Sequence, residues 1–194
     1  MIHTLCVFCG SSDRVRTEYL QAACRMGEAV ARRGIRLAYG AGKTGLMGAV
    51  ADGALAAGGE VLGVIPAMFN TPQLVHTGLT ELEIVENMHV RKARLAQIAD
   101  AFVALPGGYG TFEELFEILT WAQIGLHSKP IGLLNALRYF DPLLAAVQHA
   151  WSEGMIYDEH RALFVHSEDP HELLAALENH RLPGGLEHWW LRDR

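Results

Sequence analysis

The sequence predicts an α/β protein built on a doubly wound parallel sheet, a single Rossmann-like domain over residues 1–194 with a peripheral C-terminal tail at 182–194. Three observations carry that prediction. Short apolar or β-branched runs alternate with longer segments of helical period, the pattern of a parallel sheet covered on both faces. Glycine-bearing turns fall after several of those runs, where an open parallel sheet gathers its ligand loops. A chain of 194 residues, half of them hydrophobic, buries a full core without dividing in two.

Taken in order, the first strand is expected near residues 2–8, an apolar run that sends Cys6 and Cys9 to opposite faces. Three cysteines so placed read as buried thiols rather than a redox or zinc pair. A helix over 16–33 stops at Gly34, and a strand at 35–39 follows. The next helix, over 44–58, stops at Gly58-Gly59 and leads to a strand at 60–65. Residues 66–80, with two prolines and no clear period, read as a long connection over the mouth of the sheet. A strand at 82–85, a helix over 88–99, a strand at 101–105 ended by Pro106 and a helix over 112–125 form the middle of the chain. A strand at 130–134, a helix over 141–153, a strand at 162–166 and a helix over 170–179 complete the alternation. Trp189 and Trp190 in the tail are expected against the body or a second subunit.

Composition excludes several function classes. A net charge of −6 argues against bulk nucleic-acid binding, so an anionic partner must be held in a small local positive site. No apolar run is long enough for a membrane span and no secretory signal is visible, which reads as a cytoplasmic protein. No HExxH, second CxxC or tight histidine cluster offers metal ligands, so no metal and no cofactor is expected.

Three glycine loops are expected at the carboxyl ends of the strands. Gly10-Ser11-Ser12 offers hydroxyls and amides to phosphate or ribose, or caps the helix behind it. The stretch from Gly40 to Gly45 fits GxGxxG. It lacks the Walker A glycine, Leu37 standing in its place, and Glu60 lies at the start of the next strand rather than at its end, where ribose would need it. The third, ALPGGYGTFEEL at 104–115, reads as an anion nest in which Gly107, Gly108 and Gly110 permit left-handed backbone and close approach, aimed at a helix N-terminus that Thr111 can cap. Glu114 then has two readings: a capping box reaching back to the Thr111 amide, or a functional carboxylate. Arg91, Lys92 and Arg94, three cations in one turn of an acidic chain, open the preceding helix near the same mouth.

VFCGSS, YGAGKTGLMGAVADGAL, GVIP, MHVRKARL and LPGGYGTFEEL, in that order over most of residues 5–135, resemble the Lonely-guy family of cytokinin riboside 5′-monophosphate phosphoribohydrolases. The resemblance implies a Rossmann-like fold, usually a homodimer, that cleaves the N-glycosidic bond of AMP or N6-substituted AMP to free base and ribose 5-phosphate. It implies Arg91 and Glu114 as the catalytic residues. The nucleotide-binding set is then Gly10, Ser11, Ser12, Gly40, Gln73, Lys92, Gly107, Gly108, Tyr109, Gly110, Thr111, Glu113 and Thr120. Ala41 stands where such a loop commonly has glycine, and Gln73 where many relatives carry a glutamate near the base. Two competing readings remain: a nucleotide sensor without turnover, and a pyridoxal-dependent lysine decarboxylase, which would need a Schiff base on Lys43, Lys92 or Lys129.

Overall fold

A computed structural model describes residues 1–186. Seven strands form one all-parallel sheet: β1 (Thr4–Phe8), β2 (Arg36–Tyr39), β3 (Val61–Pro66), β4 (Glu81–Val85), β5 (Ala101–Ala104), β6 (Ile131–Leu134) and β7 (Val165–Ser167). Their spatial order is β4-β3-β2-β1-β5-β6-β7. The helices are α1 (Thr17–Arg32), α2 (Gly45–Ala56), α3 (Met88–Ile98), α4 (Tyr109–Gln123), α5 (Asp141–Ser152) and α6 (Pro170–Asn179). The first four strands are laid down outward from β1, and the chain then crosses back to place β5 on its other side. The crevice between the carboxyl ends of β1 and β5 is therefore the topological switch point, where open α/β sheets bind ligands.

The period-two alternation of β1 divides the core. Leu5 and Val7 face α1, α2 and α6 with Ala23, Val50 and Leu173, while Cys6 and Phe8 face α3 and α4 with Leu95, Leu115 and Ile118. Cys6 and Cys9 thus lie buried on opposite faces, as their spacing predicts. Gly34 and Gly58 end their helices in the left-handed region, at φ 68° and 78°.

Two expectations need correction. The last strand is Val165–Ser167 rather than 162–166, because Asp158–Ala162 forms a 3₁₀ turn and Leu163 plugs the core. Helix α4 begins at Tyr109 rather than 112, with Gly108 in the cap position. The nest glycines Gly107, Gly108 and Gly110 are not left-handed: Gly110 belongs to the first helical turn, and Gly108 has φ −98°. Leu182 and Leu186 pack onto the core face that holds Leu163, whereas Trp189 and Trp190 lie outside the described residues. Among the described residues no helix is long and apolar enough to cross a membrane, and no group of three or more metal-ligating side chains converges.

Candidate active site

The first two glycine loops are locked to each other. The Gly10 carbonyl accepts from the amides of Leu46 and Met47 at 2.9 and 3.2 Å, and the Thr44 hydroxyl donates to the Ser11 carbonyl at 2.8 Å. Gly45, at φ 60°, lies against Ser11 and Ser12, where a Cβ would meet the Ser12 carbonyl oxygen at 2.5 Å. The amides of Leu46 and Met47 at the start of α2 are therefore already taken by the chain itself, so this loop packs the two segments together and leaves its helix end less open to an anion than that of α4. Ala41 adopts φ 63°, which explains why glycine suits that position; it costs about 1 kcal/mol for a residue with a Cβ.

The third loop is different. Pro106 accepts from the Gly10 amide at 3.0 Å, and Gly107 is wedged so closely that a Cβ would come within 2.1 Å of the Thr111 hydroxyl. Behind it the first turn of α4 presents the amides of Tyr109, Gly110 and Thr111, which have no intrahelical acceptor. Among the described residues nothing approaches the Cβ positions of Gly108 and Gly110 within 4 Å, so they leave that end open. Free amides and the positive end of the helix dipole make an anion site.

A cavity of about 460 Å³ occupies the switch point. Of the residues singled out from the sequence, Gly10, Ser11, Ser12, Arg91, Gly107, Gly108, Tyr109, Gly110, Thr111 and Glu114 line it. Arg91 and Glu114 meet there at 3.1 Å, each side chain only 11% exposed. Arg91 is fixed further by donating from Nε to the Val64 carbonyl at 3.2 Å. Burial raises the Glu114 carboxyl above its ordinary value of about 4.5; the Arg91 charge opposes that shift, and Glu113 adds to it. The capping box is not formed: Thr111 is the third residue of α4, and Glu114 turns to Arg91 instead.

Five residues of the set lie outside this cavity. Gly40 sits beneath Arg91, where a Cβ would fall 1.9 Å from Nη2, so it seats the arginine rather than lining the cavity. Lys92 pairs with Glu113 and, at 2.9 Å, with Glu117, tying α3 to α4. Burial lowers the Lys92 pKa, but these two carboxylates outweigh it and leave it raised. Gln73 is exposed on the connection after β3, and Thr120 is turned back onto the Phe116 carbonyl. None of the three lysines lines the cavity: Lys43 donates to the Pro72 carbonyl, Lys92 to the glutamates and Lys129 to the Ala96 carbonyl.

The sequence reading missed most of the apolar side of the cavity, formed by Val15, Tyr19, Leu46, Met47 and Tyr139 beside Cys9 of the first glycine loop. Leu46 and Met47 sit in the motif already quoted, one turn from its glycines, and could have been found from it. Tyr19 and Tyr139 carry no comparable signal.

This is an α/β protein whose crevice at the switch point of the sheet has the free amides of a helix N-terminus on one side and, among the described residues, the buried Arg91–Glu114 pair on the other. The family profile described as "Possible lysine decarboxylase" matches residues 47–177. A cytokinin riboside 5′-monophosphate phosphoribohydrolase of Rhodococcoides fascians is 48% identical over 174 residues, covering 89% of this chain and 88% of the relative. One from Arabidopsis thaliana is 44% identical over 176 residues, covering 91% and 81%. The chain belongs to this phosphoribohydrolase family, which the profile's description names for another reaction. Among solved structures, the molybdenum cofactor binding protein of Rippkaea orientalis aligns with TM-score 0.69 at 20% identity, over 90% of this chain and 94% of that one, a likeness of fold alone.

Proposed function

We propose that the protein hydrolyses the N-glycosidic bond of AMP or an N6-substituted adenosine 5′-monophosphate, releasing the free base and ribose 5-phosphate. The observation that carries this reading is the contrast between the two helix N-termini at the crevice. That of α2 is filled by Gly10, while that of α4 is left open beside the buried Arg91–Glu114 pair. The 5′-phosphate takes the amides of Tyr109 to Thr111, and the binding energy of this remote group positions the reacting bond. As the bond to the base breaks, its electron pair leaves with the base and positive charge develops on the sugar. The Glu114 carboxylate stabilises that charge. Water then adds to the anomeric carbon, one of its protons passing by way of Glu114 to the departed base and the other staying on the new anomeric hydroxyl. The raised proton affinity of Glu114 suits it to accept the water's proton. Arg91 keeps Glu114 ionised and oriented.

The names of the relatives and the presence of both Arg91 and Glu114 support this reading over a sensor without turnover. The decarboxylase alternative lacks a lysine in the cavity. Incubation with AMP, followed by chromatography for adenine and ribose 5-phosphate, tests the proposal. Equimolar appearance of both is expected, and intact AMP after many hours at micromolar enzyme would refute it.

We further propose a homodimer in the cytoplasm. Leu82, Ile84, Met88, Val90 and Phe116 are 38–52% exposed along β4, the start of α3 and α4, an apolar surface that a second copy would cover. Gln73 and Thr120, outside the cavity of their own chain, are then candidates for reaching the substrate held by the other copy. The three free cysteines are consistent with a reducing compartment. Sedimentation at micromolar concentration should give the dimer mass; a fully active monomer would overturn that assignment.

A further inference from the structure

After β6 the chain turns through residues 135–140 in an unusual conformation. Leu137 and Arg138 adopt φ 53° and 60°, two consecutive non-glycine residues in the left-handed region. Such backbone persists only where its surroundings over-determine it. Here Asn135 does so: its amide nitrogen donates to Asp141 at 2.8 Å and its oxygen accepts from the Phe140 amide at 2.7 Å. Asp141 also pairs with Arg138 at 2.7 Å.

The side chain that this turn delivers to the cavity is Tyr139. Its ring is held edge-on by Phe140 at 5.1 Å and by Tyr19 at 5.8 Å, and it stacks on Phe112 at 6.5 Å. Its hydroxyl donates to the Gly107 carbonyl at 2.5 Å. Gly107 and Gly108 have no side chains to fix their dihedrals, so the loop takes its shape from its anchors. Three successive carbonyls are tied to three different groups: Pro106 to the Gly10 amide, Gly107 to Tyr139 and Gly108 to the Phe112 amide. Because a peptide unit is planar, holding the Gly107 carbonyl also sets the direction of the Gly108 N–H, immediately before the open amides of α4.

We infer that Tyr139 is a positioning residue for the anion cradle, acting through the Gly107 carbonyl, with the strained turn at Leu137-Arg138 serving to present it. The inference rests on the reading of residues 107–111 as the phosphate-binding segment.

The test compares Tyr139→Phe with Phe140→Leu, which loosens the same aromatic packing but leaves the hydroxyl. Ribose 5-phosphate binding is measured by calorimetry, and steady-state rates are measured on AMP and adenosine. Tyr139→Phe should weaken ribose 5-phosphate binding and raise KM for AMP by about 3- to 10-fold, with kcat and the rate on adenosine changed less than about 2-fold. Phe140→Leu should lower Tm while binding ribose 5-phosphate like the wild type. Wild-type binding by Tyr139→Phe, or equal losses in the two variants, would overturn the inference and leave the proposed function standing. A wild-type protein that neither binds ribose 5-phosphate nor cleaves AMP would overturn both.

Discussion

Gly40→Ala adds one methyl group, and the structure specifies its cost. The new carbon would lie 1.9 Å from Arg91 Nη2 and 2.6 Å from the Met47 terminal methyl. The methionine can rotate away, but the guanidinium is held by Val64 and Glu114 and has to leave both. Separating a buried ion pair costs about 3–5 kcal/mol when one charge stays behind. Arg91 can swing toward solvent, so a loss near the lower end, about 3 kcal/mol, is expected; for a protein of this size that is roughly 6–12 °C in Tm. Turnover should suffer more than stability, because Glu114 loses the charge that keeps it ionised and aimed. A fall in kcat of about 100-fold or more is expected in adenine release from AMP, scored beside Tm. Gly184→Ala, where no described residue lies within 4 Å of the new carbon, is the control and should change neither. Near-normal kcat in Gly40→Ala, or a crystal structure of the variant with Arg91 still on Glu114, would refute the reasoning.

Two further outcomes follow from the same pair. Glu114→Gln keeps the size and removes the charge, so it should bind AMP yet lose about 100-fold or more in kcat; Glu113→Gln, whose carboxylate points to Lys92, should be milder. A Glu114→Gln variant that turns over normally but melts early would return Glu114 to a purely structural role. Because the folded Glu114 carboxyl titrates above 4.5, it carries no burial penalty below that pH and acquires one as pH rises through its folded value. In the proposed mechanism Glu114 acts as the carboxylate, so the acid limb of kcat/KM should lie above 4.5 and move higher in Gly40→Ala, where the opposing Arg91 charge is displaced. A limb at or below the ordinary carboxylate range, unmoved in that variant, would contradict the assignment.

The sheet was legible because its strands are short apolar runs separated by helical periods, and most boundaries fell within one or two residues. The misplaced ends have local causes. Leu163 and Phe164 are apolar and look like strand, but they pack on the core beside a 3₁₀ turn. Tyr109 and Gly110 look like loop because glycine is a poor helix former, yet the first turn of a helix tolerates it where amides must stay accessible. That shift of three residues decided the fate of Glu114: with the helix starting at 109, Thr111 cannot cap it, and the carboxylate is free to face Arg91. The family resemblance picked out Arg91 and Glu114, whereas residue chemistry alone left Arg91, Lys92 and Arg94 as one cationic run. Adjacent helical positions point about 100° apart, and only the packing of α3 against α4 shows which one enters the cavity. The role of Gly40 was invisible for a related reason, since its neighbour Arg91 lies 51 positions away in sequence. Tyr139 follows two left-handed residues that are not glycines, so the turn that presents it left no glycine signature.

The central claim is that an open helix N-terminus holds a 5′-phosphate so that the Arg91–Glu114 pair can act on the glycosidic bond. Comparing kcat/KM for AMP and adenosine under identical conditions tests it most directly. AMP should be preferred by at least about 100-fold, since charge-assisted hydrogen bonds to a phosphate contribute about 1.5–3 kcal/mol each and two or more amides are available. Equal values for the two substrates would contradict it.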